Sequence, residues 1–139
     1  MPAWCHTLLE RFPEYGHRPE SWSLIDAGAE LGRLLERATA EGDVSSASRV
    51  LSFVSWAHSQ TPQAETLFHF CADVLSPTVS RESLWPALAA SMTEEAFLRL
   101  RPVFQYLFKG KSFAALEEDV RLKSRANLSL KSRRSSSAA

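Results

Sequence analysis

Residues 23–59, SLIDAGAELGRLLERATAEGDVSSASRVLSFVSWAHS, decide the fold. Apolar residues recur at helical spacing in the first half of this stretch, after a serine that can cap a helix N-terminus. Gly42 stands where that helix would end, and Asp43 can cap the next helix, which is expected over Val44–Ser59. The short connection between them, which starts at Glu41, allows only a tight turn. The sequence therefore predicts an antiparallel helical hairpin.

Helical periodicity continues on both sides of this hairpin. A first helix is expected from Ala3 to Phe12, where Pro13 ends it. Further helices are expected between Thr61-Pro62 and Ser76-Pro77, from about Leu84 to Ser91, from Glu94 to Phe108 and from Phe113 to Leu122. Pro102 should kink or split the third of these helices. Because no run alternates at strand spacing, the predicted fold class is all-α: an antiparallel helical bundle or short helical solenoid of about six helices.

Two glycines lie four residues apart in the second predicted helix. Gly28 and Gly32 place a smooth strip on one face of that helix, at some cost in helix propensity. The apolar surroundings of a membrane dimer motif are missing, because charged residues are interleaved. The strip therefore predicts close packing against a neighbouring helix.

Composition and charge divide the chain into an acidic body and a basic tail. The chain has 139 residues, of which 45% are hydrophobic, enough for one domain with a proper core. Residues 1–120 carry ten Lys/Arg and sixteen Asp/Glu, a net charge of −6, whereas residues 121–139 carry six Lys/Arg and no acid. We expect one domain over residues 1–125 and a disordered Ser/Lys/Arg-rich tail over 126–139. The body should attract basic partners, and the tail could make only weak, salt-sensitive nucleic-acid contacts.

The pattern of reactive side chains favours a protein without catalysis. Cys5 and Cys71 lie among apolar residues, which indicates two reduced core thiols. His58, His69 and Asp73 could meet on consecutive helices, but their spacing matches no metal-ligand pattern. Neither a nucleophile elbow nor a glycine-rich phosphate loop occurs in the sequence. We therefore predict no catalytic residue, no metal, no cofactor and no small-molecule substrate. The alternative is an enzyme with an unrecognised site. A deep pocket that holds the two histidines and the aspartate would favour it.

The N-terminal segment lacks the features of a targeting signal. No basic stretch precedes an apolar core, and the first acidic residue is Glu10. No uncharged apolar run approaches the roughly 20 residues that a membrane helix needs. The sequence predicts a cytoplasmic protein without membrane contact.

Three short motifs carry a resemblance to a known group of proteins. They are Leu8-Leu9-x-x-Phe12-Pro13, the Ala40-Glu41-Gly42-Asp43 turn leading to Val50-Leu51-Ser52-Phe53-Val54, and Trp85 with Phe97-Leu98-x-Leu-x-x-Val103. Together they resemble small bacterial helical proteins, some of which are encoded beside polymorphic toxins as immunity proteins. The resemblance spans roughly residues 5–120. The chain departs from it in the middle of the third helix, where the acidic residue common in such proteins is replaced by Ser55 or Trp56.

The resemblance implies a non-catalytic binding protein whose partner is a cognate toxin. An immunity protein occludes or distorts its toxin, and an acidic body suits fast association with a basic partner. We expect Glu36, Glu41 and Asp43 to form the partner-binding face, although they could be merely helix-end charges. Trp56 is the fourth expected contact residue; together with the neighbouring phenylalanine it either anchors a partner or packs on a second layer of helices.

A second functional hypothesis is that the chain is a helical adaptor or scaffold subunit of a larger protein assembly. In that role Trp56 or Trp85 would serve as anchors for neighbouring subunits. The product of the adjacent gene separates the two hypotheses, since a toxin favours immunity and a metabolic or structural protein favours a scaffold.

Overall fold

The computed structural model describes residues 2–60, 64–108 and 116–122, with the side chains of 64–66 excepted. Regular secondary structure in these ranges is entirely helical, which confirms the predicted all-α class. The longer helices are α1 (Ala3–Arg11), α2 (Leu24–Glu41), α3 (Val44–His58), α4 (Ala64–Val79), α5 (Trp85–Ala90) and α6 (Glu94–Phe108). Short 3-10 helices cover Pro13–Tyr15, Arg18–Ser21 and Glu82–Leu84, and residues 116–122 are again helical.

The hairpin of α2 and α3 forms as the sequence predicts. Ser23 and Asp26 make a reciprocal capping box, with N···O distances of 3.2 and 2.9 Å. Gly42 ends α2 with a φ of 73°, a left-handed conformation that glycine adopts without steric cost. Asp43 then caps α3, because its Oδ1 accepts a hydrogen bond from the backbone N–H of Ser46 at 3.1 Å.

The closest helix pair is α2 against α4, and the two glycines of α2 form the contact. A Cβ on Gly28 would lie 3.4 Å from the Cβ of Asp73. A Cβ on Gly32 would lie 3.3 Å from the carbonyl oxygen of Asp73 and 3.4 Å from both the carbonyl oxygen of Val74 and Cγ of Pro77. Residue numbers rise together along the contact, so the two helices run parallel. The predicted role of the glycine strip is confirmed.

The helix α3 lies antiparallel to α4 as well as to α2. The Cys71 Sγ donates to the carbonyl oxygen of Val54 at 3.5 Å, and further along α3 the ring of His58 lies 6.3 Å from that of Phe68, so residue numbers run in opposite directions along the contact. The start of α6 then packs beside α3, whereas Tyr106 near its end reaches α4. The arrangement is therefore a bundle in which α6 crosses from one helix to the other.

The predicted end of α4 at Ser76-Pro77 is wrong, because the helix continues through Pro77 to Val79. Proline removes only one hydrogen bond near a helix end. Its ring contacts the bare face of Gly32, and the next turn buries the apolar side chain of Val79. This burial offsets the cost of the missing bond.

Two other predicted helices have a mixed outcome. The helix with Pro102 is not split, and this proline lies on the exposed side, where water can bond the carbonyl that loses its partner. Three predicted features lie outside the described residues: the helix start at Thr61-Pro62, the first residues of the helix expected from Phe113, and the tail 126–139.

A single core cluster joins the helices. The largest fully buried side chains are Phe12, Phe53, Phe97, Phe104, Leu8, Leu31, Leu35, Leu51, Leu75, Leu88, Leu100 and Leu116. They come from all six helices and from the segment 116–122, so each element depends on the others for burial of its apolar face. None of the helices within the described ranges has the length and apolar character needed to cross a membrane.

We predict that Gly32→Leu disrupts the α2–α4 contact. A side chain at this position would meet two backbone carbonyls of α4, which cannot move aside as a side chain could. We expect a loss of at least about 3 kcal/mol in the free energy of unfolding, measured by urea denaturation. Ala29→Leu, at an exposed position of the same helix, is the matched control and should change stability by less than about 0.5 kcal/mol. Equal effects of the two variants would contradict the close approach.

Candidate functional site

A groove of about 410 Å³ lies between the end of α1, one face of α3 and the start of α6. Four serines, Ser48, Ser52, Ser55 and Ser59, line it at spacings of four, three and four residues. This spacing places their side chains on one face of α3, so the groove has a hydroxyl-lined wall. The sequence contained this signal, but sequence reasoning followed the apolar stripe of the helix and missed the serine stripe.

Most of the serine hydroxyls already have hydrogen-bond partners. Ser48 Oγ donates to the carbonyl oxygen of Ser91 at 2.7 Å, which ties α3 to the segment before α6. Ser52 Oγ accepts from Nη1 of Arg11 at 3.1 Å. Ser59 Oγ donates to a backbone carbonyl one turn earlier, at 2.6 Å. The wall of the groove is thus held in place by bonds to both neighbouring elements.

Ser55 is the exception in this stripe. The residue is only 5% exposed, and its hydroxyl makes no hydrogen bond to any residue in the described part of the chain. The fully buried side-chain atoms that lack a hydrogen-bond partner in the described residues include Oγ1 of Thr78 but not Oγ of Ser55, so the Ser55 hydroxyl is accessible from the groove. Because Ser55 borders the groove, the groove is the place from which a partner could reach it.

An aromatic ring and charged groups also line the groove. Trp56 is half-buried; its ring packs 5.7 Å from that of Phe53, and the Arg11 guanidinium lies 5.9 Å from the tryptophan ring centroid. On the opposite wall, Arg99 forms an ion pair with Glu95 at 2.8 Å. Trp56 therefore packs on Phe53 on one side and borders the groove on the other, and its role as a partner anchor stays a prediction.

The acidic residues predicted as a partner-binding face are only partly together. Glu41 and Asp43 are exposed at the turn between α2 and α3. Glu36 is half-buried and paired with Arg81 at 3.5 Å. Trp56 lies along α3 about 20 Å from the turn, given a rise of about 1.5 Å per residue. The four predicted contact residues therefore do not form one surface.

The electrostatics of Asp43 reflect its position as a helix cap. Hydrogen bonds from the side chain and backbone of Ser46 lower the pKa of this carboxyl group. The interaction favours the ionised form, which also suits the positive end of the α3 dipole. Asp43 therefore has a structural role whether or not a partner contacts it.

The cysteine, histidine and aspartate side chains considered in the sequence are dispersed or buried in the structure. Cys5 and Cys71 are both buried free thiols, as predicted, and burial raises the pKa of Cys71 to about 12. His69 and Asp73 border a second cleft of about 290 Å³, but His58 does not. Within the described residues no group of three potential metal ligands forms. The pocket that would have favoured an enzyme is not built from this trio.

Comparisons of the chain with protein-family models, with curated proteins and with solved structures gave no match. The resemblance to immunity proteins therefore stays a prediction from sequence.

The serine stripe gives a prediction that separates paired from unpaired hydroxyls. Ser55→Ala and Ser48→Ala make the same change on one helix, with a similar gain in helix propensity. Only Ser48→Ala removes a hydrogen bond, the one to Ser91, and so we expect it to be less stable than Ser55→Ala by about 1 kcal/mol in urea denaturation. Ser55→Ala should be at least as stable as the wild type. A Ser55→Ala variant that unfolds more easily than Ser48→Ala would show that its hydroxyl is paired.

The cap at Asp43 gives a prediction on pH. Because the folded-state pKa of Asp43 is lowered, its contribution to stability is present above the unfolded value of about 3.9 and is lost as pH falls through the folded value. Asn also caps helices but does not titrate. Between about pH 5 and about pH 2, Asp43→Asn should therefore lose less in Tm than the wild type. Glu41→Gln, which removes an acid beside the same turn without removing a cap, is the control; an identical effect of both variants would contradict the assignment.

Proposed function

We propose that this chain is a non-catalytic binding protein that takes a segment of a partner protein into the groove between α1, α3 and α6. The observation that carries this proposal is the contact between Trp56 and Arg11 in the lining of the groove. Tryptophan and arginine are enriched among the residues that dominate interface energetics. The groove volume of about 410 Å³ is sufficient for a few side chains of a partner.

The groove wall is suited to binding because it is already ordered. The ring of Trp56 rests on buried Phe53, and Arg11 is held by its hydrogen bond to Ser52. Side chains that are fixed before binding lose less conformational entropy when a partner arrives. These contacts support a preformed contact site.

The resemblance to immunity proteins supplies the class of partner. We propose that the chain acts in the cytoplasm and that its partner is a cognate bacterial toxin, which it neutralises by direct binding. The net charge of −6 on residues 1–120 supports association with a basic partner, since long-range attraction raises the association rate. Exposed Glu41 and Asp43 contribute to this field without having to touch the groove.

The alternative function, a helical adaptor or scaffold subunit, is favoured by one other surface. Leu98 and Tyr106 are 50% and 52% exposed, and with exposed Pro102 they follow each other at four-residue spacing on α6. Exposed apolar side chains on one helix face are typical of protein contacts. This stripe lies outside the groove, and its role is therefore separable by mutation.

The test is co-expression with the product of the adjacent upstream gene in a susceptible host. We expect that product to arrest growth, this chain to restore growth, and the two proteins to purify together. Trp56→Ala should weaken the complex by at least about thirtyfold, because it removes the aromatic anchor. The readouts are growth and the Kd of the purified pair.

The matched control is Trp22→Ala. Trp22 is also half-buried, with its ring 5.2 Å from that of Tyr15, but it does not line the groove. We expect this variant to retain both rescue and affinity. An upstream product that is harmless, or whose toxicity the chain does not relieve, would reject the toxin partner. Equal losses in both tryptophan variants would reject the groove as the contact site.

A further inference from the structure

We propose that the groove binds a carboxylate group, supplied by an aspartate or glutamate side chain of the partner protein. This inference rests on the proposed function, which assigns the groove as the contact site, and it adds the chemistry that the groove recognises. The groove would bind a negative group although residues 1–120 are themselves negative overall. The partner would therefore present a carboxylate within a mainly basic surface.

The groove has an excess of hydrogen-bond donors. Ser52 Oγ accepts from Arg11, so its own hydroxyl hydrogen is available. The guanidinium of Arg11 has five N–H donors, of which one is used on Ser52, and its bond partners in the described ranges include no carboxylate. A ligand that satisfies this wall must therefore be rich in acceptors.

Ser55 adds a further hydroxyl donor to the same wall. The residue is only 5% exposed and borders the groove, and its hydroxyl makes no hydrogen bond to a described residue. Ser52 and Ser55 are three residues apart on α3, so their side chains are neighbours about 5–6 Å apart. A carboxylate with two oxygens can accept from both hydroxyls while it faces Arg11, which would give Ser55 the partner that it lacks.

The charges that line the groove favour one negative charge over two. Arg99 already pairs with Glu95 at 2.8 Å, whereas Arg11 stacks on Trp56 without an acidic partner among the described residues. The lining therefore has a net charge of +1. A carboxylate neutralises this charge, but a phosphate dianion would leave one negative charge without a counterion.

The start of α6 adds to the same preference. Thr93 caps this helix by accepting from the backbone N–H of Ala96 at 3.1 Å, and both residues line the groove. The positive end of a 15-residue helix dipole is thus directed at the groove. The serine wall, the arginine and the helix end together define a site for an anion of single charge.

The test uses the full chain and a capped tripeptide, acetyl-Gly-Asp-Gly-amide, with the Asn peptide as its neutral counterpart. Binding is followed by NMR through the indole N–H resonance of Trp56, which Trp56→Phe identifies. We expect saturable shifts with the Asp peptide and binding at least about tenfold weaker with the Asn peptide. Arg11→Gln should weaken binding of the Asp peptide by about tenfold and Ser55→Ala by about threefold. Arg33→Gln, which removes an exposed arginine paired with Glu30 outside the groove, should have no effect.

Other outcomes would overturn the inference in distinct ways. Equal binding of the Asp and Asn peptides, or no saturable shift at about 0.1 M peptide, would reject a carboxylate site. Tighter binding of inorganic phosphate than of acetate would reject the argument from single charge. Acetate binding as tightly as the peptide would retain the chemistry but reject a protein side chain as its source. If the peptide fails while Trp56→Ala still abolishes neutralisation, the carboxylate inference falls and the proposed function stands.

Discussion

The close approach of α2 to α4 is the constraint on which the rest of the structure depends. Gly32 meets the backbone carbonyl groups of Asp73 and Val74 directly, and Gly28 lies against the side chains of Asp73 and Phe70, so the two helices approach closely. The contact fixes the two helices as parallel neighbours. Because the α2–α3 turn is tight, α3 must then run antiparallel against both of them. The close approach of α2 to α4, and with it the relative direction of three helices, therefore depends on two positions without a Cβ atom.

This placement determines which face of α3 meets the core and which meets α6. Phe53 and Val54 turn inward, and the serine stripe turns toward the start of α6. Serine side chains are too short to fill the space between two helices, whereas leucines in the same positions would pack and close it. The groove is thus a consequence of small polar residues at an interhelical contact. The hydroxyl groups of Ser48 and Ser52 bond to neighbouring elements and that of Ser59 bonds within α3, whereas that of Ser55 has no partner among the described residues.

The groove and the acidic turn are two separate electrostatic features of one small body. The turn with Glu41 and Asp43 contributes to a long-range negative field, whereas the groove offers at short range the Arg11 guanidinium, which has no acidic partner among the described residues. Long-range charge governs how fast a partner arrives, and short-range donors govern which group it must present. In the proposed complex the two features would act at different stages of association.

The sequence by itself determined the features that depend on neighbours along the chain. The caps at Ser23, Gly42 and Asp43 were predictable because capping uses backbone groups within three or four residues, and the glycine strip was visible from its spacing. Only the tertiary structure decided the rest. The passage of α4 through Pro77 depends on burial against another helix, the pairing of Glu36 with Arg81 depends on the parallel placement of α2 and α4, and the groove exists because α6 lies beside the serine stripe. These contacts join residues far apart in sequence, and no local pattern specifies where a distant helix will pack.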